Sequence, residues 1–353
     1  MGNKEGFLFF SLAGFTHSRG GVYLSEGKWL ANSKSKFFEV SSQLWTDLPR
    51  LISIIQSTAS QTSEMVVLSP SHLLVPLLKI FSGRKIILDA GWSLTEAEIA
   101  RWRGITGIPR IIKCLIIDFT AFQLASKIIV ETNQQKSYIS SKFMVRRKKI
   151  YVLMTGFDEI NFNEPSQKPL ELEASSGTER YSTVLFRGSY TREAGLELLS
   201  EVSKKLENRN IQFIVATNRI PKQIVFGKNT ILISRRLSNR EMKYLYETAT
   251  VCVGQITNRS RLKNTIPHKA FEAAFFKKPY ISSDMQGIRE FLPENNQCYY
   301  LDEASVSGLE KAIIEITSSA KLQSTLSINV ANRYKAVASQ AYLSEKFFEI
   351  ISS

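Results

Sequence analysis

The 353-residue sequence is poor in the residues that staple or metallate a fold, with 3 cysteines and 3 histidines. Cys114, Cys252 and Cys298 are odd in number, sit in apolar surroundings and lack metal spacing. That pattern predicts buried thiols in a reducing cytosol, not a disulfide framework. His17, His72 and His268 are scattered and no DxD pair accompanies them, so no metal site is expected. The dinucleotide fingerprint GxGxxG and the phosphate loop GxxxxGKS/T are both missing, which argues against dehydrogenases and P-loop NTPases. A clean apolar run of about 20 residues, the length of a bilayer span, is missing too. The longest greasy tract, IIKCLIIDFTAFQLASKIIV, is broken by Lys113, Asp118 and Lys127. FLFFSLAG near the start is too short and too poorly headed for a signal peptide and reads as a first buried strand. The expectation is a cytoplasmic protein that crosses no membrane.

What is present is an ordinary globular composition, 43% hydrophobic and long enough for about two domains. The formal net charge of +14 is uneven. Residues 1–150 hold 20 Lys and Arg against 10 Asp and Glu, which leaves +4 for the remainder. The densest run is SKFMVRRKKI, containing Arg146 and Arg147. Such a bias predicts a polyanionic partner, either an anionic membrane surface or a nucleic acid. A nucleic acid is disfavoured, because the run has no interleaved aromatics and no known binding motif appears.

Strand-like and helix-like patterns alternate along the whole chain, as in parallel sheets covered by helices. FLFFSL, MVVLSP, KIILDA, KIIVET and IYVLMT read as strands of a first domain, and TVLFRG, IQFIVAT, TILISR, VCVGQI, PYISSD and QCYYL as strands of a second. The polar, proline-marked text between them reads as a linker. The predicted division is a first domain over 1–160, a linker over 161–182, a second domain over 183–335, and a final helix over 336–353 that returns to the first domain.

In open parallel sheets a ligand sits beyond the carboxyl ends of the strands, so the loops there hold the candidate residues. After TVLFRG, Gly188 lets the backbone approach a ligand, with Arg187 and Arg192 flanking the turn. After VCVGQI come Arg259, Arg261 and Lys263, leading into a helix with Thr265 as its predicted cap and Pro267 in its first turn. Unpaired amides at that helix start, together with these cations, suit a diphosphate. His268, Lys269 and Glu272 share one face of an otherwise apolar helix. A carboxylate there suits the vicinal hydroxyls of a ribose, and the lysine suits phosphate.

The stretch KAFEAAFFKKPYISSDMQGIREFL resembles the signature of the group 1 glycosyltransferases, a retaining family of GT-B fold, with its K-x-x-E-A helix, G-K-P-V-I strand and D-x-x-G-x-x-E loop. YVLMTGFDEINF is similar to the strand and N-G-V-D turn that closes that family's first domain, and FRGSYTREAGLELL and LSNREMKYLYETATVCVGQ extend the likeness. The resemblance implies an α/β fold of GT-B type, two Rossmann-like doubly wound parallel-sheet domains facing across a cleft that closes on a donor. By the same resemblance Glu272 is the ribose-binding glutamate, Lys269 the base beside it, and Gly287 and Glu290 belong to the strand-end loop near the donor. Arg192 is the diphosphate-binding base, Gly20 and Gly21, preceded by His17, form the glycine pair beneath sugar and acceptor, and Asp89 faces the sugar from a strand end.

Three positions depart from the family pattern. Asn264 stands eight residues before Glu272 where a sugar-contacting glutamate is common, Thr155 replaces the asparagine of the turn, and Lys277, followed by Lys278, stands where a glycine is usual. The implied activity is metal-independent, retaining transfer of a sugar from a nucleotide diphosphate to a hydroxyl of a lipid-linked glycan, on the inner membrane face, in polysaccharide synthesis. No cofactor is implied beyond the nucleotide sugar itself. The alternatives are a non-catalytic GT-B subunit, a nucleotide-sugar epimerase and a basic nucleic-acid-binding protein.

Overall fold

The computed structural model describes residues 6–14, 18–24, 35–40, 44–58, 64–101, 104–173, 181–191 and 193–353, with backbone alone at 18 and 44–46. The chain divides into two compact units, one of residues 1–158 with 340–353 and the other of residues 159–339.

The first unit is built on six strands: β1 (Phe7–Ser11), β2 (Lys36–Glu39), β3 (Glu64–Val67), β4 (Ile86–Gly91), β5 (Lys127–Val130) and β6 (Ile150–Val152). Their order is β2-β1-β3-β4-β5-β6 and every pairing is parallel. β3, β4 and β5 are buried on both faces and mostly apolar, as strands covered from both sides must be. One cover contains Leu74, Leu78, Phe122 and Phe143. The other is completed from the far end of the chain, where Leu343, Phe347 and Ile351 of the Gln340–Ser352 helix pack with Phe9, Val22 and Tyr23. The Tyr23 and Phe347 rings stack at 4.8 Å.

The second unit has β7 (Ser182–Arg187), β8 (Ile211–Ala216), β9 (Thr230–Ile233), β10 (Val251–Val253), β11 (Tyr280–Ser283) and β12 (Tyr299–Leu301), in the order β12-β11-β10-β7-β8-β9 and again all parallel. Its core joins Val184, Phe186, Phe213, Val251 and Ile281 of the sheet to Leu199, Val202, Leu309 and Ile313 of helices.

Residues 159–173, which include the first part of the 161–182 segment, group with the second unit. The Leu170–Glu173 turn of helix is held by Arg235, whose Nε and Nη2 donate to the two Glu171 carboxylate oxygens at 2.8 and 2.9 Å. Lys243 Nζ also donates to the carbonyls of Phe162 and Glu164. The helix after β10 begins at His268, with Pro267 at its N-cap and no side-chain cap, whereas the Thr265 hydroxyl turns back to the Arg261 carbonyl at 3.2 Å. Proline fits that place because it fixes φ and needs no amide partner.

Candidate active site

Because β7, β10 and β11 are neighbours, the loops at their carboxyl ends are neighbours too. Arg187 is the last residue of β7 and Gly188 the first beyond it. Gly188 has φ +141°, which disfavours any side chain, and a Cβ there would lie 2.9 Å from Lys269 Cε. The absence of that carbon lets the Lys269 side chain cross the β7 end, with its ammonium 4.0 Å from the centroid of the Phe186 ring.

Glu272 stands one turn further along the same helix and is only 2% exposed. Arg187 Nη1 donates to its Oε1 at 2.5 Å, His268 Nδ1 lies 3.0 Å from the same oxygen, and the Tyr246 hydroxyl donates to Oε2. Arg187 Nη2 lies 2.9 Å from Met242 Sδ. Burial opposes charge on Glu272, but Arg187, His268 and Tyr246 outweigh it and hold its pKa down at about 2. Lys269 goes the other way. Its burial brings the ammonium down from the ordinary 10.5 to about 7, with Glu272 resisting and Arg187 assisting. The site therefore pairs a fixed carboxylate with a lysine whose proton is loosely held at neutral pH, which is the condition an incoming anion reverses.

The flanking loops are locked by close backbone approaches. Gly287 lies at the start of the Gln286–Phe291 helix, and a Cβ on it would meet the Thr265 carbonyl oxygen at 2.2 Å and that of Leu262 at 2.7 Å. This contact brings Gly287 and Glu290 to the segment carrying Lys263 and Asn264, of which Lys263 is exposed and Asn264 half-buried. Glu193 ties the loop after β7 to the loop after β10: its carbonyl accepts from Thr257 Oγ1 at 3.0 Å, and its carboxylate lies 3.8 Å from Arg261 Nη1. A surface cavity of about 710 Å³ opens beside these loops, lined by Tyr190, Gly195, Thr257, Asn258 and Arg259 among others. Arg187, Lys269 and Glu272 lie outside it.

The structure thus gathers Gly188, Lys269 and Glu272 in one cluster and Lys263, Asn264, Gly287 and Glu290 in an adjoining one. Arg192 and His17 lie outside the described residues. Gly20 and Gly21 are buried within the Ser18–Leu24 helix, not in a loop. Asp89 is fully buried in the first unit and receives Arg19 Nε at 2.9 and 3.1 Å, with Arg19 Nη2 2.8 Å away. Arg19 Nη1 donates in turn to the Thr155 hydroxyl at 3.0 Å, which ties Asp89 through Arg19 to the segment just after the first unit's last strand. Arg235 is committed to Glu171 and Glu241.

Sequence reasoning missed Arg187 and Tyr246 as partners of Glu272. The available signal was a cation closing the otherwise apolar strand TVLFR. Among the described residues, no group of three or more His, Cys, Asp or Glu side chains could hold a metal ion.

Two units, each an all-parallel six-stranded sheet with helices on its faces, are the components of the GT-B fold. Residues 181–319 match the model of the group 1 glycosyl transferases, and Arg187, Lys269 and Glu272 lie within the matched segment. No curated protein matches the chain. Among solved structures, sucrose-phosphate synthase from Thermosynechococcus elongatus is similar at a TM-score of 0.73 and 12% identity, covering 98% of each chain. HepE from Anabaena, in complex with UDP-glucose, is similar at 0.70 and 11%, covering 98% of this chain and 99% of that one. A glycosyltransferase from Rickettsia africae follows at 0.67 and 12%, covering 99% and 98%. At such identities the likeness carries the fold, and the family domain adds support for glycosyl transfer.

Proposed function

We propose that the chain is a glycosyltransferase that takes a sugar from a nucleotide diphosphate donor and passes it to a hydroxyl of a glycan acceptor. The observation that supports this best is the grouping of Arg187, Lys269 and Glu272 at the β7 end within the segment that matches the family. Leaving-group charge builds on the diphosphate as the glycosidic bond breaks. Cations already fixed in place stabilise that charge without reorganising, usually the largest catalytic contribution. Lys269, poised near neutrality, gains its full charge as phosphate approaches, and Lys263 and Arg192 extend the same field. Glu272 offers its remaining acceptor capacity to ribose hydroxyls while Arg187 and Tyr246 keep it ionised.

In this reading the diphosphate charge is met by side chains without a metal ion, and transfer retains anomeric configuration. The acceptor is a lipid-linked glycan of polysaccharide biosynthesis, met at the inner membrane face, to which the basic first unit is drawn. HepE was solved with UDP-glucose, which makes a uridine donor the first to try. The test is incubation with a panel of nucleotide sugars, with and without lipid-linked acceptors, scoring released nucleotide diphosphate and the anomer formed. Acceptor-dependent release, undisturbed by chelator and lost in Lys269→Met, is expected. Absence of UDP binding and of release across the panel would refute the reading, and an absolute requirement for a divalent ion would remove its metal-free part.

A further inference from the structure

The exposed large apolar side chains among the described residues are unevenly distributed. Of 17, 11 lie between Ile80 and Met144 of the first unit. Most belong to one stripe. Ile105, Ile108, Ile112, Leu115, Ile116 and Phe119, 41–83% exposed, recur every three or four residues along a 3-10 turn and the Ile108–Leu124 helix it runs into. That spacing puts them on one helix face.

The stripe points outward because the opposite face is anchored. Asp118 is buried and accepts from the Ser93 hydroxyl at 2.7 Å and from the Thr95 amide and hydroxyl at 2.8 and 2.9 Å. Phe122 packs edge-on against Phe143 at 5.0 Å and His72 at 5.6 Å. Exposed Arg110 and Lys113 flank the stripe, and Asp118 is the helix's one acidic residue. Its carboxyl end adjoins the basic run. Gln123 Nε2 donates to the Phe143 carbonyl at 2.6 Å, and Lys149 Nζ donates to the carbonyls of Gln123 and Ala125 at 3.4 and 3.3 Å. In that run Lys142, Arg146, Arg147 and Lys148 are exposed around Met144, itself 75% exposed, and residues 132–149 hold no acid.

A patch of this size needs a covering. A second copy is a poor one, because an isologous contact sets a patch against itself. Arg110 and Lys113 would then meet their own kind, and the helix's one acid, Asp118, is buried and cannot pair them. A lipid surface has the complementary chemistry, with anionic headgroups for the flank and an acyl boundary for the stripe. We propose that the outer face of the Ile108–Leu124 helix, with the 142–149 run at its end, docks this chain onto an anionic bilayer, Ile112, Leu115, Ile116 and Phe119 entering the headgroup boundary. The proposal rests on the membrane part of the reading above and adds the surface and its apolar mode.

The experiment is co-sedimentation of the full chain with vesicles of phosphatidylglycerol and phosphatidylcholine in equal parts, and with phosphatidylcholine alone. Binding to the anionic vesicles is expected to fall at least about tenfold in Ile112→Glu/Ile116→Glu and in Arg146→Glu/Arg147→Glu, since about 1 kcal/mol attends each basic contact. Both pairs lie at exposed positions, so thermal unfolding should match wild type. The emission of Ile116→Trp is expected to shift to the blue with anionic vesicles. Vesicle binding that ignores the isoleucine pair, with unmoved Ile116→Trp emission, overturns the apolar docking and leaves a purely electrostatic attachment. Dimerisation abolished by the isoleucine pair, without vesicle binding, overturns the proposal in favour of a second copy. Failure of every vesicle arm, with donor turnover intact, refutes both this proposal and the membrane part of the functional reading but not glycosyl transfer.

Discussion

Glu272 shows how far a side chain's role depends on partners that sequence spacing does not reveal. Its position near the start of an apolar helix was legible, and so was its company with His268 and Lys269. Arg187 and Tyr246 come from 85 and 26 residues away and become neighbours only when β7 and the Asn239–Thr248 helix pack against the site. The consequence for mutagenesis is direct. Glu272→Ala leaves the Arg187 guanidinium facing an empty, buried position, and breaking a buried pair in this way costs about 3–5 kcal/mol. We expect it to unfold the second unit at lower denaturant, whereas Glu272→Gln keeps the Tyr246 contact and loses less. Chemical denaturation of the two variants separates the outcomes, and equal stability would remove Arg187 as a partner. The pairing of Asp89 with Arg19 is hidden from the sequence for the same reason, since the two are 70 residues apart.

Lys269 carries a pH dependence of definite sign. Between about 7 and 10.5 the unfolded chain holds a proton that the folded site has released, so stability rises with pH across that window. A bound diphosphate favours the charged ammonium and draws the proton back. UDP affinity should therefore fall as pH rises above about 7, approaching about tenfold per unit, with proton uptake visible in calorimetry across buffers of different ionisation enthalpy. Lys269→Met should flatten that profile. A profile as steep in the variant would assign the proton to another group.

At the scale of elements, apolar β-branched runs such as KIIV and TVLF announced their strands because both faces of a parallel sheet are covered. β2 was missed because KFFE is a short edge strand whose Lys36 and Glu39 are exposed, so little burial marks it. The Ala320–Val337 helix was missed because its polar residues run all round it. Loop placement was harder, because it rests on glycines whose neighbours lie elsewhere in the chain. Gly287→Ala would press a Cβ onto the Thr265 carbonyl, so either the 262–265 loop or the 286–291 helix must shift. The expected result is weaker UDP binding by about tenfold or more, a loss of about 1.4 kcal/mol, with Lys269-linked proton uptake retained. Unchanged affinity would place that loop outside the donor site.

At the scale of the whole molecule, the chain leaves the first unit near Asp158, builds the second, and returns at Gln340. The return is energetically substantial. Leu343, Phe347 and Ile351 are at most 1% exposed, and their burial is worth about 1.5–3 kcal/mol each. Such a sum is comparable to the 5–15 kcal/mol that holds a typical domain together. Gln340 and Ser344 add hydrogen bonds to the Val22 and Tyr23 carbonyls, pinning the Ser18–Leu24 helix that contains Gly20 and Gly21. A chain ending at Ser339 should therefore lose the cooperative unfolding of its first unit while keeping the second unit's transition and its UDP affinity. Differential scanning calorimetry with and without UDP tests this, because ligand raises only the transition of the unit that binds it. Should the shortened chain keep both transitions unmoved, the last helix would be an ornament on the first unit, and the buried contacts of Phe347 with Phe9 and Tyr23 would have to be offset by strain elsewhere in that sheet's cover.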